Sequence, residues 1–288
     1  MSIAAPLEKK PPWLRVKISS VHSCANVGAL VRQSGLHTVC ESARCPNLGE
    51  CWSRGTATLM ILGNICSRRC GFCAIASGNP LPPDPGEPLR AARAAFEMKL
   101  RHVVVTSVTR DDLPDGGAAF WAETIRAIRR ENPNASLETL IPDFGGKRDC
   151  LEQVLRARPD VLNHNVETVP RLYPTVRPQA KFERSLELLR LAKKAGLTTK
   201  TGLMLGIGER EDEIEEVLRA LVALRVDMLT LGQYLRPTAR HLPVERWVSP
   251  EEFARWKERG LKLGFRFVQS GPLVRSSYRA EEAVAPLP

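Results

Sequence analysis

A chain of 288 residues with 43% hydrophobic content can bury a sizeable core, and one large α/β domain with extensions fits it at least as well as two small domains. The 42 Lys and Arg against 32 Asp and Glu leave a formal charge of +10, which points to an acidic partner: nucleic acid, an acidic protein or a phosphorylated small molecule. The first residues, MSIAAPLEKKPPW, hold no apolar run of the kind a signal peptide needs, and no run of about 18 apolar residues occurs anywhere, so neither secretion nor a membrane span is expected. Eight cysteines in such a chain suggest a reducing, cytoplasmic setting, where clustered thiols bind metal or do chemistry.

In chain order, residues 1–23 read as an irregular arm, because Pro6, Pro11 and Pro12 interrupt regular structure. A short helix from Ala25 is expected to end at Gly35. Residues 1–55 lack the apolar periodicity for a core of their own and are expected to wrap on the main domain. Regular alternation starts at Thr56. Strands are predicted at Thr56–Gly63, His102–Val108, Ser136–Ile141, Val161–Glu167, Thr198–Ile207 and Met228–Leu235. Helices are predicted over about 89–99, 118–131, 148–157, 181–195, 211–224 and 250–263, and a last apolar run, Phe265–Gln269, reads as a short extra strand.

Short apolar strands alternating with amphipathic helices argue for a parallel sheet covered by helices. No GxGxxG follows the first strand, which argues against a dinucleotide fold. The expected fold is therefore α/β, a partial (β/α)6 TIM-like barrel over 56–264, with an N-terminal extension at 1–55 and a C-terminal extension at 265–288. In such barrels the active site gathers at the C-terminal strand ends. Polar residues collect there: Cys66–Cys73, Thr106–Asp112, Glu138–Asp143, Asn163–Glu167, Gly206–Glu209 and Gln233–Arg236.

Six of the eight cysteines form two triplets. Cys40, Cys45 and Cys51 are spaced C-x4-C-x5-C, and Cys66, Cys70 and Cys73 are spaced C-x3-C-x2-C. Thiolates bind soft metals, and four-iron clusters take one cysteine per iron, so three ligands on one tight loop leave an iron open. Zinc or buried free thiols are the alternatives, with His37 a possible fourth zinc ligand for the first triplet; zinc sites favour paired C-x2-C units, and only Cys70–Cys73 has that spacing.

CSRRCGFC resembles the cluster motif of the radical S-adenosylmethionine enzymes. That resemblance implies a partial or full barrel with the motif after its first strand. It also implies that S-adenosylmethionine chelates the open iron and is cleaved to a 5′-deoxyadenosyl radical. Phe72 then corresponds to an aromatic beside the adenine, and Gly206 and Glu209 in GIGE resemble the element lying along it. Glu138, Asn165 and Arg177 are candidate ribose and methionine contacts, placed by strand-end logic. His164 is expected to pack or hydrogen-bond, Thr109–Asp112 to bind substrate or cap its loop, Cys24 and Cys150 to be idle thiols, and Arg126–Arg130 to form a solvated face.

A longer resemblance covers about residues 11–280. GLHTVCESARCPNLGECWSRGTATLMILGNICSRRCGFC, VVVTSVTRDDLPDGGA, NHNVETVPRLY, GLMLGIGE and GPLVRSSY are similar to the lipoyl synthase family. Membership would imply insertion of two sulfurs into an octanoyl chain on the lysine of a lipoyl carrier domain. It would also imply two four-iron clusters and two S-adenosylmethionine molecules per lipoyl group. The second-triplet cluster would generate radicals, and the first-triplet cluster would donate sulfur. The remaining ligand of the latter would be a serine of Arg275-Ser276-Ser277-Tyr278, assigned to Ser277 with Ser276 as the near alternative. The implied partners are octanoylated carriers (the E2 subunits of 2-oxoacid dehydrogenases and the glycine cleavage H protein) and an electron donor such as ferredoxin or flavodoxin. A monomer, without nucleic acid or membrane, is the expectation. Two rival readings are a radical enzyme modifying RNA and a non-catalytic metal scaffold binding nucleic acid.

Overall fold

The computed structural model describes residues 9–15, 21–53 and 57–284. The strands in chain order are β1 (His37–Thr38), β2 (Thr58–Ile61), β3 (Ile65–Cys66), β4 (Ala76–Ser77), β5 (His102–Ser107), β6 (Ser136–Leu140), β7 (Val161–Asn163), β8 (Thr198–Leu205), β9 (Met228–Gln233) and β10 (Phe267–Gly271). β3 and β4 pair with each other, and the other eight form one sheet in the order β1-β2-β5-β6-β7-β8-β9-β10. β1 is antiparallel to β2, while every later neighbour is parallel.

Between the parallel strands run α4 (Glu87–Glu97), α5 (Ala118–Glu131), α6 (Arg148–Ala157), α8 (Phe182–Lys194), α9 (Glu211–Ala223) and α10 (Pro250–Leu263). The N-terminal segment supplies α1 (Val21–Gln33), α2 (Val39–Ser42) and α3 (Leu48–Ser53); α7 (Tyr173–Val176) and α11 (Ala280–Val284) are short. None of the described helices is long and apolar enough to cross a membrane.

Successive strand residues point to opposite faces of the sheet. On one face Leu59, Ile61, Val103, Val105 and Leu137 join Ala91 and Ala95 of α4, Trp121 and Ile125 of α5, and Val154 of α6 in one buried cluster. Leu203, Leu205, Leu229 and Leu231 pack likewise with Leu189 of α8, Leu218 of α9 and Phe253 of α10. The alternate residues Thr58, Met60, Val104, Thr106, Gly202, Thr230 and Gly232 line a cavity instead. The helix-covered face is thus the more apolar one, and the inner face carries polar and small side chains beside Met60 and Val104.

The helices lie within about two residues of their predicted bounds. Three differences bear on the site. The ladder expected to reach Glu167 stops at Asn163, because the chain turns with Glu167 at φ 64° and rejoins the sheet only as an isolated bridge to Leu203. The extra strand read at Phe265–Gln269 forms as β10, and as a seventh parallel strand it carries the sheet past residue 264, the expected end of the barrel. Part of the expected irregular arm is regular, since Pro12–Leu14 forms a 3-10 turn and α1 begins at Val21. Thr56, the first residue of the predicted first strand, lies outside the described residues, as does the side chain of Cys24.

Candidate functional site

The cavity has a volume of about 660 Å³ and sits at the C-terminal strand ends. All six triplet cysteines line it, together with Phe72, Asn165, Arg177, Ser276 and Ser277. Of the six polar strand ends read from sequence, five contribute to it.

The second triplet lies on the connection leaving β2. Within it Cys66, Arg68, Cys70, Phe72 and Cys73 line the cavity. The loop is clamped by the turn after β5. The backbone N–H groups of Arg68 and Thr109 both donate to Cys66 Sγ at 3.4 Å, and Ser67 Oγ donates to Thr109 O at 2.9 Å. Arg68 is buried and forms two bonds to Asp111, at 2.6 and 2.9 Å, and one to Asp143 at 2.6 Å. Asp143 also pairs with Arg184 at 3.0 Å. Burial opposes ionisation of Asp143, but the Arg68 guanidinium outweighs it and holds the carboxyl below the usual carboxylate range. Asp111 is therefore a clamp on the Cys66–Cys73 loop. Arg110 is spent on Asp112 and the Leu62 carbonyl.

The first triplet spans α2 and α3, where spacings of four and five residues bring thiols from two short helices to one wall. Thr38 caps α2, its hydroxyl accepting from Glu41 N at 3.3 Å. The other half of this wall comes from the far end of the chain. Asn47 is buried and donates to Leu273 O at 2.6 Å, Thr58 Oγ1 donates to Ser277 Oγ at 2.8 Å, and Tyr278 donates to Glu50 at 3.0 Å. Arg279 pairs with the same Glu50 at 3.2 Å. Gly232 on β9 makes room for this C-terminal arm: a Cβ there would stand 2.1 Å from the Val274 carbonyl oxygen. His37, the possible zinc ligand, lies on β1 paired with Met60 and is not one of the residues lining the cavity.

A polar cluster joins the two triplets. Asn165 donates to Glu167 Oε1 at 3.0 Å and to Ser276 Oγ at 2.6 Å. Arg177 donates to the Asn165 carbonyl at 2.9 Å and lies over the Tyr173 ring. Asn165 Oδ1 and Arg177 Nε, one acceptor and one donor on cavity-lining residues, are buried without a partner. Such orphaned groups cost stability unless a ligand satisfies them.

Three sequence-predicted contacts lie elsewhere. Glu138 points inward from the middle of β6, beneath the cavity lining, where it is ion-paired with Lys200 at 2.9 Å and accepts from Asn163 at 2.8 Å. Burial alone would push its carboxyl up, but Lys200, with His102 and Asn163, holds it down at about 2. A lysine inside the apolar strand TTKTGLML was the available signal, because a buried charge requires a partner. Gly206 and Glu209 do not reach the cavity either. The Glu209 carboxylate folds back onto the N–H groups of Gly206 and Ile207, at 2.6 and 2.9 Å, and fixes the turn after β8. His164 is buried between Ile141 O and Ser185 Oγ, both at 2.9 Å, and burial lowers its pKa to about 4.

Burial also pushes the thiols of Cys40 and Cys70 up and that of Cys73 to about 12. Thiols so placed become thiolates only against a strong positive charge such as metal. Among the described residues no three His, Cys, Asp or Glu side chains converge tightly enough to grip a single ion. Zinc would need that convergence, with each sulfur about 2.3 Å from the metal. A four-iron cluster takes one thiolate per iron and spreads its ligands. The donor set and the orphaned acceptor and donor therefore fit a cluster with a zwitterionic ligand better than they fit zinc.

Residues 60–221 match the Radical SAM superfamily. The chain is 57% identical over 275 residues to the lipoyl synthase of Rubrobacter xylanophilus, covering 95% of this chain and 86% of that one. It is 51% identical over 284 residues to the mitochondrial lipoyl synthase of Nematostella vectensis, covering 98% of both. Among solved structures, Streptococcus suis SuiB bound to S-adenosylmethionine superposes with a TM-score of 0.58 at 13% identity, covering 74% of this chain and 49% of that one. Methylornithine synthase (PylB) gives 0.55 at 15%, covering 74% and 70%. At these identities the structural likeness speaks for the fold, a mostly parallel partial barrel.

Proposed function

The chain belongs to the lipoyl synthase family within the radical S-adenosylmethionine superfamily, and from that footing we propose how its own residues divide the work of inserting two sulfurs into a carrier-bound octanoyl chain. The observation that carries the reading is that both cysteine triplets and the RSSY arm open onto one cavity.

In this reading Cys66, Cys70 and Cys73 hold one four-iron cluster, and Cys40, Cys45 and Cys51 hold a second. When bound, the first cluster with S-adenosylmethionine would supply the radical chemistry that removes hydrogen, and the second would supply the sulfur. Arg177 Nε and Asn165 Oδ1 would bind the carboxylate and ammonium ends of S-adenosylmethionine, satisfying two groups that otherwise stay unpaired. Phe72 would stack on its adenine. Arg68, held by Asp111 and Asp143, keeps the cluster loop in one conformation before any cofactor arrives.

We assign the last ligand of the first triplet to Ser277. Its support is the hydrogen bond to Thr58, whose backbone N–H also faces the Cys40 sulfur. Ser276 is tied instead to Asn165. The natural substrates would be octanoylated E2 subunits and H protein, with a ferredoxin or flavodoxin as reductant, in a cytoplasmic and monomeric enzyme. Its basic surface suits acidic partners of this kind.

Iron and sulfide analysis of anaerobically reconstituted protein should give about eight irons per chain. Four or fewer, or zinc, would break the two-cluster assignment. Reduced protein with S-adenosylmethionine and an octanoyl-lysine peptide should yield a product heavier by two sulfurs. Alanine at Cys40, Cys45 or Cys51 should spare 5′-deoxyadenosine formation and abolish sulfur insertion, whereas alanine at Cys66, Cys70 or Cys73 should abolish both.

A further inference from the structure

We propose that a small acidic one-electron carrier protein docks on the outer face of the Cys66–Cys73 loop, against a cationic patch of Arg69, Lys181 and Arg240. The proposal rests on the cluster assignment above and concerns where the electron enters.

The loop has two faces. Arg68, Cys70 and Phe72 line the cavity, while Ser67, Arg69 and Gly71 do not. Arg69 is exposed, and its backbone N–H donates to Gln179 Oε1 at 3.2 Å. Two segments flank this outer face. On one side Gly71 N donates to Val176 O at 2.9 Å, and the same segment continues through Gln179 to the exposed Lys181. On the other, Leu242 N donates to Gly71 O at 3.0 Å, next to the exposed Arg240. Among the described residues, none of these three side chains has an ion-pair partner. The carboxylates near these segments are Asp111, already held by Arg68, and the exposed Glu183 and Glu245, which follow Lys181 and Arg240 in the chain. Three free cations around one half-buried thiol loop form a local concentration of positive charge on a chain that is already +10.

His241 links this surface to the loop. Its Nε2 lies 2.9 Å from the Cys73 carbonyl, which can only accept, so Nε2 carries a proton, while Nδ1 lies 2.9 Å from the Thr238 hydroxyl. A carrier seated here would approach the loop without entering the cavity. One electron would leave its reduced flavin or iron–sulfur centre and reduce the cluster held by Cys66, Cys70 and Cys73. The carrier would be oxidised by one electron, and no atom would be transferred. Attraction of this type accelerates encounter between opposite charges and fades with salt.

The test uses reconstituted holoenzyme and an acidic flavodoxin reduced to its hydroquinone, mixed anaerobically in a stopped-flow instrument. Arg69→Glu with Arg240→Glu should lower the second-order rate of cluster reduction about 10- to 100-fold at low salt, with the gap closing as salt rises. Dithionite should reduce wild type and variant alike. Affinity for oxidised flavodoxin, titrated on the same proteins, should fall in parallel and reads docking even where no cluster is reduced. Arg126→Glu with Arg130→Glu, on the exposed face of α5, controls for net charge. An unchanged rate and affinity in the loop variant, or an equal loss in the α5 control, would overturn the proposal. So would weakened binding of an octanoylated carrier domain with flavodoxin unaffected. Failure of dithionite to reduce any of the proteins would instead count against the cluster assignment.

Discussion

The second-triplet loop and the first-triplet wall face the same cavity but are held by different kinds of contact. The loop leaves a buried strand and is pinned by groups on the two neighbouring strand ends, through the bonds of Thr109 to Cys66 and of Arg68 to Asp111 and Asp143. Its clamps are buried or partly buried ion pairs within the barrel. The first-triplet wall is assembled from both chain ends through Asn47–Leu273, Thr58–Ser277 and Tyr278–Glu50, most of them single hydrogen bonds spanning more than 200 residues. A site that must survive every turnover suits the first construction. A site proposed to give up its sulfur suits the second, where each contact contributes only about 1 kcal/mol net and the arm can move without unfolding the sheet.

The largest test of this contrast is Asp143→Ala. It removes the fully buried partner of Arg68 and Arg184 and should cost about 3–5 kcal/mol. Denaturant unfolding should report the loss, and iron should be lost from the second triplet before the first. Equal loss from both would erase the distinction. Gly232→Ala comes next. Its Cβ would meet backbone at Val274, so the arm must shift, at about 1–3 kcal/mol. S-adenosylmethionine cleavage should survive while sulfur insertion falls, and a variant that loses both would show that the arm supports the barrel as well.

A pH dependence on the barrel side comes last, absent near neutral pH and growing only as pH falls. His164 is held at about 4 by burial, against its ordinary 6.5. Between those values the unfolded chain binds a proton that the folded chain refuses. The His164 contribution should therefore be constant above pH 6.5 and fall by up to about 1.4 kcal/mol per unit as pH drops towards 4. Glu138, held near 2 against 4.5, adds a further loss only below about pH 4.5. Unfolding midpoints across this range should show a shallower slope between pH 6.5 and 4 for His164→Gln, whose side chain can still bond Ile141 and Ser185.

Much of this was legible in the residues. The βα alternation was readable because apolar periodicity is a local property. The roles proposed for the two triplets rest on their spacing together with the family resemblance. Strand-end logic placed five of six polar clusters on the cavity, whereas Gly206–Glu209 lies off its lining, with the Glu209 carboxylate capping its own turn. It also misplaced Glu138, since the depth of an inward-facing residue depends on strand register and on a lysine 62 residues away.

The amino-acid order by itself determined the main strand–helix alternation and which thiols share a loop, since each depends on neighbours a few residues apart. Only the tertiary structure decided that Asn47 meets Leu273, that Glu50 meets Tyr278, and that Arg69 turns outward while Arg68 turns in. Hydrogen bonds and ion pairs act over about 3 Å, so partners more than 200 residues apart are chosen by how the sheet brings the chain ends together.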